Sequence, residues 1–282
     1  MATATSDRKS AFTVSNALAA VVVVVAVLWL MPVVWVLAMS FKPNSELMRS
    51  TAGFLPIPFT LDNYAGLLSL SATPNWLFNS LIVAVSMTLL TLALASTAGY
   101  AFARLEFPGR RILFVFVLAG LMVPEQAVFI PLHALFSSWG YHNTHTALIV
   151  PRLAVPMGVF LMTQFFRAVP RDIEEAAELD NAGRLTIFRK IMLPLSYPAL
   201  TTLGLFTFLY AWNDFLWPLV SATDKEMYTI TVGLASIQGN FAETEGLGSV
   251  MAAAVFASAP VVLLYLVFQK YIVSGVSMGS SK

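Results

Sequence analysis

PRDIEEAAELDNAGRLTIFRKIMLP, residues 170–194, is an island of charge and small side chains in a chain that is 58% hydrophobic. Only 11% of the 282 residues are charged, against about a quarter in an ordinary soluble domain. Mean hydropathy is +0.77. The island belongs in water and the runs around it belong in lipid.

Working outward, six apolar runs have the roughly 20-residue length that crosses a bilayer as a helix. They cover about 17–39, 76–103, 112–135, 146–166, 197–220 and 249–269. The first exceeds the roughly 7–15-residue core of a cleaved signal peptide. Residues 1–16 then form an N-terminal tail and 17–282 one transmembrane domain. The expected fold is an all-α membrane protein with six transmembrane helices and a two-helix loop at 170–194.

Orientation follows from basic residues, which cytoplasmic loops retain. With an even number of spans, one side holds Arg8, Lys9, Arg104, Arg110, Arg111, Arg167, Arg171, Arg184, Arg189, Lys190, Lys270 and Lys282. The other holds Lys42, Arg49 and Lys225, with Arg152 near the start of the fourth span. This places both termini and the island in the cytoplasm. Among the outer loops, residues from Thr60 read as a short helix with Leu61, Tyr64, Leu67 and Leu68 on one face. The loop 221–248, acidic through Asp224, Glu226, Glu243 and Glu245, reads as a solvated connection or a docking site for a soluble partner.

Within the island, Asp172 and Glu175 match a capping box, so a helix is expected from Ile173. Ile173, Ala176, Ala177 and Asp180 share a face, where the alanines allow another element to approach closely. The Asn181-Ala182-Gly183 run stops that helix, because Asn and Gly tolerate the left-handed conformation. A second helix, about Arg184 to Met192, ends at Pro194. A plain hairpin linking two spans, with a solvated charged face, gives the same pattern.

Chemistry of other kinds lacks support. No phosphate-cradling G-x-x-x-x-G-K-[ST] loop occurs, and no Ser/His/Asp set stands in a recognisable context. The net charge of +1 offers no footprint for nucleic acid. The absence of cysteine excludes disulfides, thiolate metal sites and a cysteine nucleophile. His142 and His145, with His133 nearby, are two or three ordinary loop histidines or an incomplete metal set. Polar groups at membrane depth are costly unless paired or wet, which singles out Glu125 and Gln126 after Pro124, and Asn213 and Asp214 beside Trp212. They line a hydrated substrate path, or they bond between helices with Arg152 neutralising a carboxylate; the sequence leaves both open.

EEAAELDNAG at 174–183, with Phe188, Ile191 and Leu193-Pro194, resembles the "EAA" signature of membrane permeases of bacterial ABC importers. More narrowly it resembles the carbohydrate-uptake branch of the maltose type. Collinear with it stand Ser40-Phe41-Lys42, Thr60-Leu61-Asp62-Asn63-Tyr64, Asn79-Ser80, Tyr100 to Arg104 with Phe107 and Gly109, Pro124 to Pro131-Leu132, and Trp212-Asn213-Asp214-Phe215. The resemblance implies the type I importer permease fold, with Glu174, Glu175, Ala176, Ala177, Asp180, Asn181, Ala182 and Gly183 as the element that couples to an ATPase. Asn181 stands where that family usually has glycine, and asparagine makes the same turn most readily among the other residues.

The implied partners are a second permease in a heterodimer, two ABC ATPase subunits that hold ATP and Mg, and an external solute-binding protein. The implied location is the bacterial cytoplasmic membrane. The chain itself is expected to bear no cofactor and no enzymatic activity. In maltose-type importers the larger permease supplies most sugar contacts. Two other readings stay open: a permease for glycerol-3-phosphate or a glycerophosphodiester, and a polytopic membrane protein without ATP coupling.

Overall fold

The computed structural model describes residues 3–49, 54–70, 72–244 and 246–277, with side chains for 16, 18–49, 54–70, 72–237 and 246–269. Glu245 and Lys282, and the side chains of Arg8, Lys9, Glu243 and Lys270, lie outside that description. No strand occurs among the described residues. The chain divides into two compact units: Met1–Leu70 with Ile237–Phe256, and Ser71–Ser236 with Ala257–Lys282.

In the first unit, α1 (Thr3–Ser40) is followed by α2 (Asn44–Arg49) and α3 (Asp62–Ser69). The helix runs through the segment expected as a tail, and its apolar stretch Leu18–Ser40 is long enough to cross a membrane. Asn63 ties the pieces together, its Nδ2 donating to the carbonyls of Ser40 at 2.9 Å and Lys42 at 3.0 Å. Phe41 stacks on Phe59 with ring centroids 5.0 Å apart. On α3 the buried pair is Asn63 and Leu67, while Leu61 and Leu68 stand exposed. The apolar face expected from spacing is overridden by this amide, which must bury to reach two backbone oxygens.

The second unit is built around α4 (Thr73–Arg104), which begins with proline in its first turn, where the missing N–H costs nothing. Next come α5 (Arg110–Ala119), α6 (Glu125–Ser138), α7 (His145–Ile149) and α8 (Pro156–Ala168). The polar island forms α9 (Asp172–Leu179), α10 (Arg184–Ile187) and α11 (Leu193–Leu195). After it come α12 (Tyr197–Trp212), α13 (Leu216–Ser221), α14 (Ile230–Thr244) and α15 (Leu247–Ser277); the last two are shared with the first unit. α4 packs most extensively against α8 and α12. At Gly99 a Cβ would lie 2.6 Å from the Met162 Cβ, so only glycine lets α4 and α8 approach this closely.

Among the described residues three helical stretches are long and apolar enough to cross a membrane unbroken: Leu18–Ser40, Thr73–Arg104 and Leu247–Gln269. Three more arise only if each of three bent pairs counts as one span, for a total of up to six. The third expected run bends by 100° between Met122 and Glu125. Pro124 explains it, since the residue before proline avoids the helical region and Val123 is extended. The fourth run bends by 49° before Pro156. The fifth, expected as one span over 197–220, stops at Trp212; the third bent pair is Arg184–Leu195 with Tyr197–Trp212, which bends by 74° at Ser196.

Pro194 does not end the second island helix as expected. The chain widens into a π-turn over Phe188–Met192, passes Pro194 and turns at Ser196. Widening removes the clash a proline ring makes with the carbonyl four residues back. The connection after α13 is no free loop either. Trp76 Nε1 donates to the Lys225 carbonyl at 2.7 Å, and Asn79 Nδ2 to that of Glu226 at 2.7 Å. Asn143 Oδ1 accepts from the backbone N–H groups of Thr223 and Asp224, at 2.6 and 3.0 Å.

Candidate functional site

Two places gather the residues singled out by sequence. The first is the hairpin α9–α10. Its inner side joins a core cluster in which Ala177, Ile187, Phe188 and Met192 pack with Tyr100, Phe166 and Leu203 from α4, α8 and α12. Tyr100 sits 5.0 Å from Phe188 and 5.8 Å from Phe166, ring centroid to centroid. The hairpin is therefore seated on the ends of the three central helices.

Arg104, the last residue of α4, adds a polar strap. Its Nε lies 2.8 Å from Glu174 Oε1, and its Nη2 donates to the carbonyl of Val169 at the end of α8. Both side chains are largely buried, at 6% and 14% exposure. Burial pushes the Glu174 carboxyl above the usual carboxylate range; Arg104 opposes that shift and Glu178 adds to it.

The helix starts at Asp172 with Arg171 in the N-cap position and no side-chain cap bond, so the expected capping box does not form. Arg171 supplies its carbonyl to the N–H groups of Glu174 and Glu175. At the other end Asn181 has φ +57°, the left-handed conformation expected of it. Asn181 N–H bonds the Glu178 carbonyl and Ala182 N–H that of Ala177, each at 3.0 Å, the double bond pattern that closes a helix. Gly183 is extended, with φ −68°, so its freedom is not used here.

The geometry divides the predicted set. Glu174 and Ala177 face inward; Glu175, Ala176, Asp180, Asn181 and Gly183 are exposed and Ala182 is half-buried. The close approach that the alanines allow is made by the chain's own core at Ala177, which leaves Ala176 on the exposed side. Leu179, 86% exposed, and Leu185, 61% exposed, are the most exposed large apolar residues of the hairpin.

The second place is a cavity of about 700 Å³ in the second unit, between α6, α8, α12 and α13. Arg152 reaches two carboxylates there, its Nη2 bonding Glu125 Oε1 and its Nη1 bonding Asp214 Oδ2. Each partner stands at a helix break: Glu125 after Pro124, Arg152 before the α8 bend, Asp214 after α12. Tyr210 Oη donates to Glu125 Oε1 at 2.5 Å, and the Arg152 guanidinium lies 4.5 Å from the Tyr210 ring centre.

Of the residues expected to line a path, Glu125 lines this cavity; Gln126, Trp212, Asn213 and Asp214 do not. Gln126 is exposed. Trp212 is buried, donating to the Ala257 carbonyl at 3.0 Å and stacking on Phe208 at 5.7 Å. Asn213 bonds the Leu209 carbonyl at 2.8 Å, closing α12. Sequence reasoning missed Tyr210 and left Arg104 unassigned as a partner. No local pattern carries either, because 85 and 70 residues separate these pairs' members. His133 and His142 meet edge to face at 5.3 Å, and His145 Nε2 lies 3.1 Å from Asn79 Oδ1. Among the described residues no three His, Cys, Asp or Glu side chains gather as metal ligands.

The chain is matched over residues 93–278 by the family described as binding-protein-dependent transport system inner membrane component. The diacetylchitobiose uptake system permease protein of Streptomyces coelicolor is 36% identical over 281 residues, covering 99% of this chain and 91% of that one. The trehalose/maltose transport system permease protein of Thermococcus litoralis is 37% identical over 264 residues, covering 92% and 94%. Among solved structures, a bacterial ABC transporter involved in import of the acidic polysaccharide alginate superposes with a TM-score of 0.81 at 23% identity, covering 94% of this chain and 97% of that one.

Proposed function

This chain belongs to the binding-protein-dependent transport inner membrane component family, and from that premise we propose that it is the permease subunit of an ATP-driven carbohydrate importer. Relatives matched along almost their whole length are sugar permeases. The observation that carries the mechanism is the seating of α9–α10. Its apolar side and its Glu174–Arg104 strap join it to the ends of α4, α8 and α12, while Glu175, Leu179 and Asp180 face away. A force applied to the exposed side reaches three central helices without passing through a flexible loop.

ATP and Mg sit on two partner ATPase subunits whose clefts receive the hairpin from the cytoplasm. A second permease completes a heterodimer, and an external solute-binding protein delivers the sugar. The helix breaks at Pro124, before Pro156 and after Trp212 put irregular backbone beside a cavity, where membrane proteins tolerate it. Closure of the ATPases rocks these spans between inward-open and outward-open states.

The test is reconstitution. Copurification of ATPase subunits with this chain, and ATP hydrolysis stimulated by the loaded solute-binding protein, are the expected results. Glu175→Lys should leave insertion intact and abolish uptake while hydrolysis continues. Normal uptake in that variant would refute the docking role.

A further inference from the structure

The cavity at the three helix breaks has an unusual hydrogen-bond inventory. Glu125 keeps 41% of its side chain exposed. Its Oε1 is taken by Arg152 and Tyr210, and its Oε2 has no partner among the described residues. Tyr210 has spent its proton on Glu125, and Thr207 has spent its own on the Leu203 carbonyl at 2.8 Å. All three residues line the cavity, so what they offer a ligand is oxygen lone pairs.

The charge is equally one-sided. Arg152 is the only basic side chain among the described residues lining the cavity. Both its terminal nitrogens are committed to carboxylates, and its Nε is unpartnered but buried beyond the reach of solvent. Of its two partners only Glu125 lines the cavity, so the side chains of the wall offer an anion no uncommitted cation.

Resting on the carbohydrate-importer reading, we propose that this cavity is a subsite for an uncharged, hydroxyl-rich sugar ring, accepted by the free oxygen of Glu125, and that it rejects phosphorylated and uronic saccharides. Hydroxyls bring the donors that these three side chains lack, whereas phosphate and carboxylate groups bring only more acceptors. Phe129 and Phe206 supply apolar wall for the C–H faces of the ring, and the volume falls in the range of small-ligand sites, about 300–1,000 Å³. The fold itself sets no such rule, since its structural neighbour imports an acidic polysaccharide. The preference resides in these side chains.

The test uses the assembled complex in nanodiscs without solute-binding protein, and measures saturation-transfer NMR with trehalose, maltose, diacetylchitobiose and trehalose 6-phosphate. At least one neutral disaccharide should bind, with trehalose 6-phosphate about tenfold weaker or undetectable. Glu125→Gln should weaken the neutral ligand about tenfold, the loss of a hydrogen bond to a charged acceptor. Val128→Trp, which fills the cavity without altering charge, should abolish the signal and serves if Glu125→Gln fails to assemble.

Equal binding of the phosphorylated twin would overturn the proposal, as would neutral binding indifferent to both variants or no neutral binding at all. ATP-dependent uptake of the same neutral sugars by proteoliposomes supplied with solute-binding protein separates the two levels. Uptake without the predicted binding pattern sinks the subsite alone. Absence of uptake sinks the importer reading with it.

Discussion

Asn181 makes a left-handed turn at φ +57°, and its neighbours on both sides depend on it, because the two bonds that close α9 exist only with that backbone. An L-residue with a Cβ pays roughly 1–2 kcal/mol there, and a side chain branched at Cβ pays at the upper end. Asn181→Gly should therefore keep wild-type uptake. Asn181→Val should accelerate limited proteolysis between Leu179 and Arg184 and lower uptake; equal cleavage rates for the two variants would show that the turn is not strained. The turn was legible because Asn next to Ala-Gly is a local signal. Glu174 was not: it sits beside Glu175 in the same acidic run, and nothing local separates the one that turns inward from the one that faces out.

At the scale of elements, the Arg104–Glu174 strap fastens α9 to the ends of α4 and α8. Removing Arg104 strands the largely buried Glu174 carboxylate, and an uncompensated buried charge of this kind costs about 3–5 kcal/mol. Arg104→Gln should let ATP hydrolysis continue while uptake falls, and Glu174→Gln, which removes the charge that burial penalises, should lower uptake less. The swap Arg104→Glu with Glu174→Arg should recover part of it; a swap no better than the worse single variant would reduce the strap to packing.

The strap also has a pH signature. Glu174 is held above the usual carboxylate range, by burial first, so the folded hairpin binds that proton more readily than the unfolded chain. The penalty of the ionised form is present above the raised pKa and is relieved as pH falls through it. The opening free energy of α9 from hydrogen exchange, corrected for intrinsic rates, should thus rise on acidification from neutrality. In Glu174→Gln this contribution should vanish. A fall in the wild type that the variant lacks would give the carboxyl the opposite sign.

Across the whole molecule, the apolar runs were legible because a bilayer demands length and apolarity that composition alone reveals. Their interruptions were less so. Pro124 sits inside a run that reads as one span, Trp212 to Leu216 is apolar on both sides of the break, and what stops α12 is Asn213 folding back on the Leu209 carbonyl and Thr231 Oγ1 reaching the Asp214 carbonyl at 2.7 Å. That Arg152 neutralises a carboxylate was one of two readings the sequence left open; that it takes both Glu125 and Asp214 was not legible, because residues 27 and 62 positions apart converge only once three breaks have formed. That convergence makes Arg152 the joint on which three bent spans depend. Replacing it with methionine strands two carboxylates among apolar walls, where each unpaired charge costs several kcal/mol. Arg152→Met should depress the yield of monodisperse protein and lower its melting midpoint in detergent. Adding Glu125→Gln and Asp214→Asn to that chain removes the stranded charge and should restore both. If the triple variant melts no higher than Arg152→Met, the cluster contributes shape rather than charge balance, and the joint lies elsewhere in the packing of α8 against α12.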